Sequence, residues 1–187
     1  MTLHRRLEPL VLGLHLAAIA LALGPPLFFG AAVAPALFHV LPTRDMSASL
    51  VSPILARACA MAEISFGVLF ATSWLLTAGD VPKMTRALLT RLPILGFFSA
   101  IVIRQLLIPP MDRIRQEAPG LIDSLPAADP SRVMLERYHR LSTGFFGLEI
   151  AAALLVLIVT ARMLAERRSS PPPLSAAPRP MPKVLDL

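Results

Sequence analysis

LVLGLHLAAIALALGPPLFFGAAVAPALFHVL, residues 10–41, contains no Asp, Glu, Lys or Arg. A helix at the surface of a soluble domain keeps a charged or polar face toward water, so an uncharged run of this length reads as a membrane span. As a straight helix it would measure about 48 Å at 1.5 Å per residue, against a hydrocarbon core of about 30 Å. It must therefore tilt, kink or project from the bilayer. Gly24-Pro25-Pro26 is the expected kink, because each proline removes a backbone donor and crowds the preceding turn. Pro35 is a second candidate for a bend. The N-terminal end imitates a secretory signal, with a basic Met1 to Arg6, an apolar Leu10 to Leu23 and the small residues Ala32-Val33-Ala34. Apolar residues continue past that site to Leu41, and cleavage would fall directly before Pro35, so a retained membrane helix is expected.

Three more apolar segments follow. The second runs from Pro53 to about Ala78 after a loop over 42–52, and Gly79-Asp80-Val81-Pro82 stops it. The third runs from about Arg86 to Ile108, with Pro109-Pro110 closing it. A polar connector over 109–130 holds Asp112, Arg113, Arg115, Glu117 and Asp123, and Met111 to Ala118 reads as a short interfacial helix. Asp129-Pro130 has the form of an N-cap followed by proline at the first helical position. The fourth helix then starts in water near Pro130, enters the membrane near Leu141 and leaves it near Ala165. From Ser169 onward six prolines among small residues predict a disordered tail. The expected fold is an all-α, integral membrane four-helix bundle with a long, kinked first helix. Its transmembrane domain covers 1–168, with spans at about 10–40, 53–78, 86–108 and 141–165.

Composition agrees with that reading. Of the 187 residues 55% are hydrophobic and 16% charged, and the mean hydropathy is +0.66, more apolar surface than a soluble fold of this size can hide. The net charge of +6 does not point to nucleic acid, because Lys and Arg flank apolar segments as headgroup anchors rather than forming one stripe. Four spans put both termini and the Gly79 loop on one side, with ten Lys and Arg against eight on the other. That bias, with most loop acids on the second side, predicts cytoplasmic termini. The single cysteine, Cys59, excludes an intrachain disulfide and reads as a small packing residue. Thr143, Gly147 and Ala151 recur at four-residue intervals, as do Ala56 and Ala60, then Gly67 and Ala71. Small residues at this spacing let helices approach closely, within the bundle or in a homo-oligomer or partner complex.

Two passages, FFGAAVAPALFHVLP at Phe28 to Pro42 and RYHRLS at Arg137 to Ser142, resemble the transmembrane protein 205 family, which in bacteria includes a domain of unknown function numbered 4149. The order of features is similar as well: His15 early in the first helix, Arg104 and Pro109 at the end of the third, a polar connector, and Tyr138-His139 at the entry to the fourth. The resemblance covers about Leu10 to Ala165. It implies a four-helix membrane protein of unestablished molecular activity, placed in a bacterial inner membrane; the animal relatives are linked to platinum-drug tolerance and trafficking.

Ionisable residues within spans are costly and so are the candidate functional groups. Glu63 and Glu149 fall near mid-depth, whereas Arg57 and Arg104 lie nearer the connector face, close enough to snorkel. If the two glutamates face each other with Arg104 or His15 as partner, they form a protonatable or cation-binding site. A packing ion pair or interhelical hydrogen bond is the alternative. Neither glutamate belongs to the family pattern. The Leu-His-Leu setting of His15 resembles the first helix of membrane haem and copper-handling proteins, which leaves a haem-linked redox enzyme as a rival to an interhelical hydrogen-bonded histidine. His39 and His139 belong at the opposite face, too far for a shared iron. Arg137, Tyr138, His139 and Ser142 read as an interfacial anchor, or as a polar lid joining His139 to Arg104. No Gly-rich phosphate loop, nucleophile elbow or HExxH motif is present, so no catalytic residue, metal site or cofactor is predicted. The leading expectation is a non-enzymatic membrane protein that binds a hydrophobic or cationic solute through Glu63, Glu149 and Arg104, with a structural subunit as a further alternative.

Overall fold

The computed structural model describes residues 2–79, 81–118 and 120–169, so the expected disordered tail lies, apart from Ser169, outside the described residues. Most of the described residues are helical and none of them is in a strand. α1 (Thr2–Phe28), a π-helical segment (Phe29–Val33) and α2 (Ala34–Val40) form the first rod, and α3 (Arg44–Leu76) returns. α4 (Lys83–Ile101), a second π-helical segment (Val102–Leu107) and α5 (Ile108–Glu117) form the third rod. A 3-10 turn (Ile122–Ser124) leads to α6 (Pro130–Ser169). Four rods of 33–39 residues, Leu7–Val40, Arg44–Leu76, Lys83–Glu117 and Pro130–Arg168, are long and apolar enough to cross a membrane. The protein is an up-down-up-down membrane four-helix bundle. Its neighbours run α1, α3, α4, α6, with α6 closing on α1, so both chain ends described lie at one end of the bundle and the connector at the other.

The distribution of side chains suits lipid. Leu10, Ile64, Trp74 and Phe98 stand on the outside, each more than half exposed, while the interior is close-packed around small residues. Ala22, Ala62, Ala100 and Ala153 are fully buried. Gly96 faces the Phe66 ring so closely that a Cβ there would fall inside it. The small-residue stripes divide: Ala56 and Ala60 are half-buried, with Ala56 against the core, and the others face outward. Thr143, Gly147 and Ala151 lie exposed on the outer side of α6, as Gly67 and Ala71 do on α3, and a Cβ at Gly147 or Gly67 would meet nothing.

Three local expectations change. The first rod is interrupted not at Gly24-Pro25-Pro26, which stay α-helical, but at Phe29–Val33, where the Ala34 N–H donates to the Phe29 carbonyl five residues back. Pro35 explains it: a proline ring crowds the carbonyl four residues earlier, and a widened turn relieves that clash. Pro109-Pro110 does not close the third helix. The Ile108 N–H donates to the Ile103 carbonyl, again five back, and the prolines sit in the first turn of α5. The loop expected over 42–52 is mostly the start of α3, because the Thr43 hydroxyl accepts the Met46 N–H at 3.2 Å and caps the helix well before Pro53. Asp129 caps α6 as expected, its carboxylate accepting the Ser131 N–H at 2.8 Å.

Candidate functional site

Polar groups link the helices at three levels, with His15 and Glu149 fully buried and the ion pairs partly exposed. At the terminal end, Arg167 of α6 donates to Glu8 of α1 at 2.6 Å and to the Leu76 carbonyl of α3 at 3.0 Å. These contacts tie three rods together. One layer deeper, His15 is fully buried, with Nδ1 2.8 Å from the Thr72 hydroxyl and Nε2 3.0 Å from the Thr160 hydroxyl. Thr72 already donates to the Val68 carbonyl at 2.7 Å, so its oxygen accepts from His15 Nδ1–H. Nε2 is then left to accept the Thr160 proton. This neutral tautomer bridges α1, α3 and α6. A haem-ligand role would require one of the two hydrogen bonds to be given up, and His15 lines neither of the cavities described below. The two threonines were not singled out from sequence; their only signal was a hydroxyl within an apolar span.

The middle layer holds the glutamates. Arg104, carried on the second π-helical segment, forms a two-pronged ion pair with Glu63, Nε to Oε1 at 2.7 Å and Nη2 to Oε2 at 2.6 Å. Planar guanidinium and carboxylate match in this geometry, and the pair is only partly shielded, with side-chain exposures of 33% and 13%. The expected Glu63 to Arg104 partnership is present; a partnership of either glutamate with His15 is not. Glu149 stands apart. It is 0% exposed, and neither carboxyl oxygen has a hydrogen-bond partner among the described residues. It lies within electrostatic reach of Glu63 and of buried Cys59, which packs in the apolar core as expected. Arg57 lies on the exposed side of α3, outside this cluster.

At the connector end the bundle is hollow. An inner cavity of about 150 Å³ has Phe29, Leu55, Ile108, Met111 and Phe146 among its apolar walls, and Thr143 from the exposed side of α6 also lines it. Phe29 and Phe146 meet edge to face, with ring centroids 6.0 Å apart. Beside it lies an outer cavity of about 640 Å³, with Arg44, Asp45, Arg115, Arg132, Glu136 and Arg140 among its lining. Phe38, Ala48, Arg115 and His139 line both. Hydrogen bonds brace the walls: Ser52 to Asp112 at 2.8 Å, Arg115 to Asp112 at 3.0 Å, and the Ile122 N–H to Asp45 at 2.7 Å. The interfacial motif is divided by this arrangement. Tyr138 packs against the core, Ser142 is buried beside the inner cavity, His139 faces both cavities, and Arg137 is exposed. His139 shares the cavity with connector residue Arg115, but Arg104 is committed to Glu63.

Leu55, Ile108 and Phe146 each lie three or four residues, about one helical turn, from Cys59, Arg104 and Glu149 respectively. Phe146, in the cavity wall, is thus about one turn from Glu149 along α6, while Glu149 itself lines neither cavity. Between Glu149 and Thr160, eleven residues or about 16 Å along α6, the inward positions Ala153 and Val156 are fully buried and apolar. Comparison with protein-family models, with curated proteins and with solved structures returns no match, so the site stands on its own geometry.

Proposed function

We propose that this chain is a non-enzymatic multi-pass membrane protein that binds a proton or small cation at Glu149, reached from the connector-end cavity. The observation that carries the reading is the Glu149 carboxyl itself, sealed inside the bundle with both oxygens unpartnered. An ionised carboxylate in such a place is among the most costly groups a protein can hold, and a proton or a cation removes that cost. Glu63 does not need the same occupant, since Arg104 neutralises it. The packed apolar stretch between Glu149 and the His15 layer blocks a through-path in this conformation, so access is one-sided. With the termini in the cytoplasm of a bacterial inner membrane, the cavity opens on the outer face. The resemblance to the transmembrane protein 205 family at Phe28 to Pro42 and Arg137 to Ser142 belongs to this reading as a proposed kinship. A structural-subunit role rests on a different feature, the exposed Thr143, Gly147 and Ala151 face of α6, and would require a stoichiometric membrane partner.

The test is infrared spectroscopy of the carboxyl C=O stretch in lipid, comparing the parent with Glu149→Gln and Glu63→Gln. The expected result is a protonated-carboxyl band that survives Glu63→Gln, vanishes in Glu149→Gln and responds to pH or to added Na+ or K+. A parent spectrum without that band, indifferent to pH and to both cations, would remove the proposal.

A further inference from the structure

The cavity at the connector end has a chemistry separate from the Glu149 site below it. Its outer rim carries four guanidinium groups, Arg44, Arg115, Arg132 and Arg140, against three carboxylates, Asp45, Asp123 and Glu136. Most of these groups already have partners. Arg115 pairs with Asp112, Arg132 pairs with Glu136 at 3.8 Å and donates to the Leu125 carbonyl at 2.9 Å, and Asp45 accepts the Ile122 N–H. Arg44 and Arg140 enter no ion pair or side-chain hydrogen bond among the described residues. They approach the cavity from α3 and α6, on different walls, with His139 beside them. Asp123, on the exposed side of the 3-10 turn, and Asp45, which keeps its charge while accepting the Ile122 N–H, are the cavity carboxylates without an ion pair among the described residues.

Below this charged rim the lining changes to the apolar inner cavity, which Phe29 and Phe146 line. The order of layers, two guanidinium groups without an ion pair at the mouth and a hydrocarbon-like lining beneath, suits an amphiphile with an anionic head at a membrane interface. The α6 residues at the mouth, His139 and Arg140, precede the entry to the last span, so the rim lies at headgroup level. Planar guanidinium groups hold phosphate oxygens through paired N–H donors, and juxtamembrane arginines attract anionic lipid. We infer that the connector-end cavity binds a phosphate monoester carrying an alkyl chain, with Arg44 and Arg140 on the phosphate and the chain end against Leu55, Ile108 and Phe146.

The experiment is native mass spectrometry of the whole chain released from neutral detergent, titrated with lysophosphatidic acid, lysophosphatidylcholine and inorganic phosphate. One copy of lysophosphatidic acid should be retained in preference to lysophosphatidylcholine. Arg44→Gln with Arg140→Gln should weaken it by about tenfold or more, as loss of charge-assisted bonds predicts. Arg137→Gln, an exposed arginine outside the cavity, serves as the control for general surface charge and should change nothing. Asp123→Asn should tighten binding by removing one opposing charge. Leu55→Trp, which fills the inner cavity, should weaken lysophosphatidic acid and leave inorganic phosphate untouched. Equal retention of both lysolipids with no effect of the double arginine variant would overturn the inference. If inorganic phosphate competes fully and Leu55→Trp has no effect, the site takes a free anion and the amphiphile assignment fails. Neither result depends on Glu149.

Discussion

Glu149→Met should make the protein more stable while abolishing the carboxyl infrared signal. The side chain is 0% exposed and both oxygens lack partners among the described residues. A buried polar atom without its hydrogen bond costs about 1–3 kcal/mol. Methionine fills a similar volume with no polar atom and adapts to irregular surroundings, so little packing is lost. Counting two orphaned oxygens at the low end of that range, the substitution should add about 2 kcal/mol. For a chain of this length that corresponds to a rise in Tm of about 4–8 °C. Glu149→Gln is the essential companion, because it keeps two buried polar ends and should give little of the gain. Thermal unfolding in one detergent, followed by circular dichroism or by tryptophan emission from Trp74, measures both variants against the parent. An unchanged or lower Tm for Glu149→Met would refute the reasoning, since it would mean that the carboxyl already has a satisfying partner inside the bundle.

Other consequences follow from the same layers. Arg104→Leu strands the Glu63 carboxylate in a partly buried site and should cost about 1–3 kcal/mol, discounted from the fully buried case for the exposure of the pair; Arg104→Leu with Glu63→Leu should recover most of that in the same unfolding assay. Gly96→Ala should lower Tm sharply, because its Cβ has only the Phe66 ring to enter, whereas Gly147→Ala, facing open space, should be neutral or slightly stabilising. Thr160→Val leaves Nε2 of His15 without its donor and should cost about 1–2 kcal/mol, and the imidazole nitrogen shifts in NMR should report the lost bond.

Four spans were legible because a membrane span is written in contiguous residues: the uncharged run over 10–41 and its three successors need no knowledge of neighbours. The cap at Asp129 was legible for the same reason, being a local device. The start of α3 was misplaced because Pro53 offered a plausible first turn, while the competing signal at Thr43 is a single hydroxyl. The π-helical turns were invisible as such. Sequence shows that a proline perturbs a helix but not whether the chain kinks or widens, which depends on the rods packed beside it. Cost suggested Arg104 as a partner for a glutamate, since an ionised group in a span gains from an opposite charge, but nothing in the sequence said that Glu63 would take it and Glu149 would not. The orientation of the small-residue stripes could not. Four-residue spacing defines a helix face without saying whether that face looks inward, and in lipid an outward glycine carries no penalty that composition would reveal.

Both widened turns fall on rods that stand diagonally across the bundle, the first and the third, while α3 and α6 run uninterrupted between them. Mechanically the molecule is a frame of two stiff struts and two jointed ones in alternation. Each joint lies near the level where the closed interior gives way to the hollow end, at Phe29–Val33 and Val102–Leu107. A change in hydrogen-bond register is where a helix resists bending least, so the compliant coordinates of this frame all act on the mouth. The half containing His15 and Arg167 has no such widened turn among its described residues.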